Sequence, residues 1–149
     1  MAGMSDLYEL QLMLDLPDSL PAGDVALLRW HLGDSAEESP EPDAYPMLSA
    51  RGPAARIGGT LVGDLARSER GWALTARQEV HPDEFDQLRK LVEWLAGRTS
   101  TSGTVGYLRF LEHDIPDVLV ADPAAGTARR LTLSPGHSTE AQLIPDPWS

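Results

Sequence analysis

The chain has 149 residues, 42% apolar and 23% charged, which fits one globular domain long enough to bury a core and excludes wholesale disorder. With no cysteine, disulfides, thiolate zinc sites and thiol catalysis are all excluded. A formal net charge of −11 opposes a basic groove for nucleic acid and suits either plain solubility or a basic protein partner.

Leu7 to Leu16 alternate, with Tyr8, Leu10, Leu12, Leu14 and Leu16 on one side and Glu9, Gln11, Met13 and Asp15 on the other. This two-residue period predicts a strand with one buried face. Pro17-Asp18-Ser19 ends it with turn chemistry. A helix follows, starting between Pro21 and Asp24 and ending at Gly33, with Val25, Leu28 and Leu32 as its core stripe. The stretch 33–56 reads as a flexible acidic insertion. Its first half, GDSAEESPEPD, is rich in acid, Ser and Pro; its second half offers Tyr45, Met47 and Leu48 for packing, with Arg51 and Arg56 as counter-charges.

Ile57 to Ala66 returns to strand periodicity and predicts a hairpin with Gly71 to Val80. In the second strand Trp72, Leu74, Ala76, Gln78 and Val80 alternate with Ala73, Thr75, Arg77 and Glu79, and Gln78 is the misfit on the apolar side. From Pro82 to Gly97 the apolar residues Phe85, Leu88, Leu91, Val92 and Leu95 repeat at helical spacing. Pro82 suits the first helical position, Asp83 and Glu84 complement the helix dipole, and Gly97 suits the end. This strand and helix, Gly71 to Arg98, is the most strongly patterned part of the chain. Thr104 to Glu112 reads as a further strand, and Asp117 to Ala121 with Ala128 to Leu133 as a C-terminal hairpin. Residues 134–149 form a Pro-containing tail with Leu143, Ile144 and Trp148 as candidate anchors.

The order β-α-β-β-α-β followed by a hairpin is similar to the ferredoxin-like arrangement. The expected fold is thus an α+β ferredoxin-like sandwich over 1–133, two helices covering one face of an antiparallel sheet. The opposite face would collect Glu9, Gln11, Asp15, Thr60, Asp64, Thr75, Arg77 and Glu79, joined by Tyr107 and Arg109.

From that face come the candidate binding residues Gln11, Thr75, Arg77, Glu79, Tyr107 and Arg109, in which Arg77 and Arg109 would hold a small anion. Glu79, His81 and Tyr107 are the candidate proton carriers, Glu79 and His81 being two apart and able to face the same way. Trp30 and Trp94 fall off the core centre of their helices and form a candidate partner patch. His31, His81, His113 and His137 show no metal spacing, Glu112-His113-Asp114 reads as a polar turn, and RIGGTLVG lacks the Lys-Ser/Thr of a phosphate loop. No metal or other cofactor is expected. These features favour a non-catalytic protein-interaction module, homodimeric or paired with a basic protein. The alternative is a small cofactor-free enzyme or ligand carrier. No signal segment or membrane-length apolar run is visible, so a cytoplasmic protein is expected, without nucleic-acid or membrane partners.

Overall fold

The computed structural model describes residues 6–34, 44–132 and 142–143. Its centre is β1 (Tyr8–Pro17), which pairs antiparallel with β4 (Gly71–Val80) along its whole length and with β5 (Gly103–Phe110) over its first half. Around these lie β2 (Gly52–Pro53), β3 (Thr60–Ser68), β6 (Asp117–Asp122), β7 (Thr127–Thr132) and β8 (Gln142–Leu143). They form one eight-stranded antiparallel sheet in the order β2-β3-β4-β1-β5-β6-β7-β8. Two helices, α1 (Ala22–His31) and α2 (Phe85–Ala96), complete the described chain, α2 being preceded by a 3₁₀ turn at Pro82–Glu84.

The expected ferredoxin-like β-α-β-β-α-β sandwich is therefore corrected. The chain is mostly sheet, and its sheet has twice the strands of that sandwich. The physical reason lies in the connections. After α2 the chain runs β5, β6, β7 through short turns, and each new strand pairs with the free edge of the last, so the C-terminal hairpin widens the main sheet. At the other end Gly52–Pro53, which carries no strand periodicity, adds an edge strand to β3. Both outermost strands are two residues long and one contains Pro53, which blunts the sheet edges against pairing with another chain.

Alternation puts Leu10, Leu12, Leu14 and Leu16 of β1 beside Leu74, Ala76 and Val80 of β4, on the face the helices cover. Phe85, Leu88, Leu91, Val92 and Leu95 bury the stripe of α2 onto it, and Leu28 and Leu32 bring in α1. Burial of such side chains contributes about 1.5–3 kcal/mol each. Pro21 rather than Asp24 precedes the first turn of α1, and Asp24 instead accepts from Arg98 at 2.9 Å, tying α1 to the end of α2.

The second half of the presumed flexible insertion is fastened down. Leu48 is fully buried and Met47 nearly so. Arg51 donates to the carbonyls of Leu32, Leu48, Ala50 and Gly63 at 2.7–2.9 Å. Gln78, the misfit of β4, explains itself here. It is 2% exposed; its amide donates to Ala50 O and Val62 O and accepts from Ala50 N–H, each at 3.0 Å. A strap with no period of its own is thus read by one buried side-chain amide, which satisfies backbone groups a strand would otherwise pair. Residues 35–43 and the tail apart from β8 lie outside the described residues, with the readings made of them.

Candidate functional site

The face of the sheet away from the helices has two unlike ends. At the first end Glu9 sits on the central strand, opposite Glu79 of β4 and Arg109 of β5. Although on the outer face, it is 8% exposed. Its Oε2 accepts from Arg77 Nε at 2.7 Å and Gln11 Nε2 at 3.0 Å, and its Oε1 accepts from Arg109 Nε at 3.0 Å. Each arginine carries the link onward to a loop. Arg77 donates to Gly58 O (2.7 Å), Thr60 O (3.3 Å) and Ile57 O (3.3 Å) before β3. Arg109 donates to Leu111 O (3.1 Å) and His113 O (3.0 Å) after β5. Gly58 and Gly59, at φ +82° and +68°, give the first loop the left-handed turn that brings these carbonyls to Arg77.

Glu79 fastens the same loop. Its carboxylate accepts from Ala55 N–H (3.0 Å), Arg56 N–H (2.7 Å) and Ile57 N–H (3.1 Å). Ile57 joins Leu7 and Leu61 in a small second apolar cluster beneath the loop. Burial pushes the Glu79 carboxyl up, but these three N–H groups outweigh it and hold the acid below its usual range. The Glu9 carboxyl is likewise raised by burial and lowered further by Arg77, Arg109 and Gln11, with the net shift downward. Both acids are ionised at neutral pH with their oxygens occupied, which suits anchoring and opposes proton transfer.

The structure therefore brings Gln11, Arg77, Glu79, Tyr107 and Arg109 together, with Glu9 among them, and sets Thr75 apart at the other end. It does not join Glu79 to His81 as an acid/base pair. His81 is exposed, and its backbone N–H donates to Glu84 Oε1 at 2.9 Å as part of the helix entry. Tyr107 follows Gly106, where a β-carbon would come within 2.1 Å of Gln11 O, so only glycine lets β5 close on β1 there. With Glu9, Gln11, Arg109 and Pro116, Tyr107 lines a cavity of about 330 Å³, and its hydroxyl has no partner among the described residues.

Trp30 and Trp94 line one shallow cavity of about 110 Å³ between α1 and α2, with Ala44 of the strap at its margin. Trp30 is 7% exposed. Trp94 is half-buried with the Arg98 guanidinium 4.3 Å above its ring. Beside them His31 Nδ1 accepts from Met47 N–H at 3.2 Å, and burial pushes this imidazole down to about 4. Among the described residues no three His, Asp or Glu side chains are placed to hold a metal ion.

At the second end the outer face is bare. Cross-strand register sets Asp64, Thr75 and Met13 in one row, with Val62 in the row toward Arg77 and Ala66, Ala73 and Asp15 in the row beyond. All of these but Ala73 are exposed, Met13 by 39% and Val62 by 40%. Neither Asp15 nor Asp64 has a side-chain partner among the described residues. Sequence reasoning missed Met13 and Val62, although the signal was there: each is apolar in the polar phase of its strand.

Protein-family models, curated proteins and solved structures were all compared with the chain, and none matches it. Among the described residues no helix is long and apolar enough to cross a membrane.

Proposed function

We propose that this protein is a non-catalytic interaction module of the cytoplasm that meets a partner through the bare end of its outer sheet face. The observation that carries this reading is the contrast in use of side chains. Both sequence-predicted anion anchors, Arg77 and Arg109, and one of the three proton carriers, Glu79, are bound into structure, whereas Met13 and Val62 stay exposed beside unpaired carboxylates. Apolar side chains in a polar register do nothing for the core, and exposed apolar groups rimmed by charge mark contact surfaces.

A photo-crosslinking residue at position 62 tests this in native extract, with one at position 86 on the outer side of α2 as control. Adducts are expected from position 62 well above the control; equal yields from the two sites would sink the reading. The small-ligand alternative rests on the cavity at Tyr107 and Arg109. It predicts that a small carboxylate raises the melting temperature and that Tyr107→Phe removes the rise.

A further inference from the structure

The interaction reading leaves the partner open, and the bare end of the face narrows it. Resting on that reading, we infer that the bound partner is an extended basic segment of another protein, with two cationic side chains flanking an apolar one, and not a second copy of this chain.

Three observations support this. The first is charge. Arg77 and Arg109 are tied to Glu9, Arg98 to Asp24, Arg130 to Asp117 and Arg67 to Asp18, so much of the positive charge is held in internal pairs. The acids left over dominate the surface of a chain with net charge −11, and Asp15 and Asp64 are two of them. Arg70 lines the depression next to Asp15, with Glu69, and makes no ion pair with it.

The second is spacing. Asp15 lies on β1 and Asp64 on β3, with β4 between them and one same-face row of offset. At about 4.8 Å between strands and about 6.8 Å between same-face residues, their β-carbons are about 12 Å apart. In an extended peptide, side chains four residues apart are separated by about 13 Å, and the one midway points the same way. A cation, an apolar residue and a cation at every second position thus reach Asp15, the Ala73–Thr75 stretch of β4 with Met13 beside it, and Asp64 together, while Val62 lies one row beyond Asp64 along β3.

The third is self-repulsion. A second copy laid face to face adds two more carboxylates at this end, with no exposed cation in the three rows and one arginine, Arg70, at their margin, so like charges outnumber opposite ones, which is unfavourable at an interface.

The test uses the full chain labelled for NMR, and as probe a synthetic peptide of about eight residues, Lys-Ser-Val-Ser-Lys-Ser-Val-Ser, which sets Lys, Val and Lys at successive same-face positions. The same peptide with Glu in place of Lys is the control. Amide and methyl shifts are expected at Met13, Val62 and Thr75 with the basic peptide and none with the acidic one. The double variant Asp15→Asn/Asp64→Asn should bind about tenfold more weakly with an unchanged spectrum elsewhere, and added salt should weaken the wild type similarly. Shifts spread equally over Asp83, Asp86 and Glu93, with no effect of the double variant, would overturn the inference as undirected attraction. A dimer in sedimentation equilibrium that Met13→Asp/Val62→Asp dissolves would also overturn it while upholding the interaction reading. Peptide failure with a position-62 crosslink to another protein does the same; failure of both removes the reading itself.

Discussion

The two ends of the outer sheet face share β1, β4 and the same alternation, with β5 completing one and β3 the other, yet they are put to opposite uses. At the Glu9 end, the charges consume one another and the leftover donors and acceptors clamp two loops over the sheet. At the Met13 end, apolar and acidic side chains stand in solvent, and the loop at Thr99–Thr101 bonds only the backbone of Asp15. A mixed-charge sheet face is therefore not evidence of a binding site by itself. What decides is whether each charged atom already has a partner.

The sharpest way to break this contrast is to remove Glu9. Its two arginines are only 22% and 24% exposed as side chains, and Glu9→Ala would remove the carboxylate both pair with, leaving Arg77 the more distant charge of Glu79. Removing one member of a buried pair costs about 3–5 kcal/mol, and the partial exposure brings the expectation here to about 2–4 kcal/mol. Urea denaturation reads this directly, and hydrogen exchange should rise in the loop at residues 54–59. A loss below 0.5 kcal/mol, the order of an ordinary surface change, would mean that the network is decoration.

Next in size is Gln78→Ala, which strands the N–H of Ala50, removes a donor from the carbonyl of Val62 and leaves the carbonyl of Ala50 only its bond from Arg51. An unsatisfied buried group costs about 1–3 kcal/mol, so a loss of about 2 kcal/mol is expected, with local exchange rising around Ala50. Proteolysis under native conditions should then cut near residues 44–52 first. Unchanged protection there would show that Arg51 alone holds the strap.

Acid separates the same elements by pH. The His31 imidazole is held at about 4, below its ordinary 6.5, so between these values the unfolded chain binds a proton that the folded chain refuses. Stability should therefore fall as pH drops from about 6.5 toward 4, by about 1–2 kcal/mol after allowing for solvent access. His31→Gln should flatten that window. Glu9 and Glu79 have depressed folded values, so their contribution is complete above the ordinary carboxylate range and is lost only as pH falls through it. A stability curve flat down to pH 4.5 would contradict the burial of the His31 ring.

The periodicities of β1, β4 and α2 made the middle of this fold legible, because a strand with one buried face and a helix with one buried stripe write their geometry into residue order. They also placed Gln11, Arg77 and Glu79 on one face. The width of the sheet was not legible: Gly52–Pro53 has no alternation, and pairing of β6 and β7 onto β5 is a tertiary choice of edge. Glu9 as the central acceptor was equally hidden. It looks like any wet-face acid until strand order sets Arg77 on one side of its strand and Arg109 on the other. Gln78 was visible as an inconsistency, but its partner is a strap whose composition reads as a loop. Trp30 lies off the centre of the α1 stripe and is still buried, in the cleft it shares with Trp94 of α2.

The smallest expected effect on stability is the most informative about function. Met13→Gln and Val62→Thr replace exposed apolar side chains by polar ones of similar size at positions that contribute nothing to either apolar cluster. Surface changes of this kind stay within about 0.5 kcal/mol, so the double variant should melt with the wild type. If the bare end binds a partner, the same variant should lose most of the position-matched crosslinking and peptide shifts. Stability and association would then come apart at this end of the face, whereas at the Glu9 end they cannot, since there the charged residues are the fold. A large stability loss in the double variant would place Met13 and Val62 under a covering segment of the chain itself and remove the distinction between the two ends.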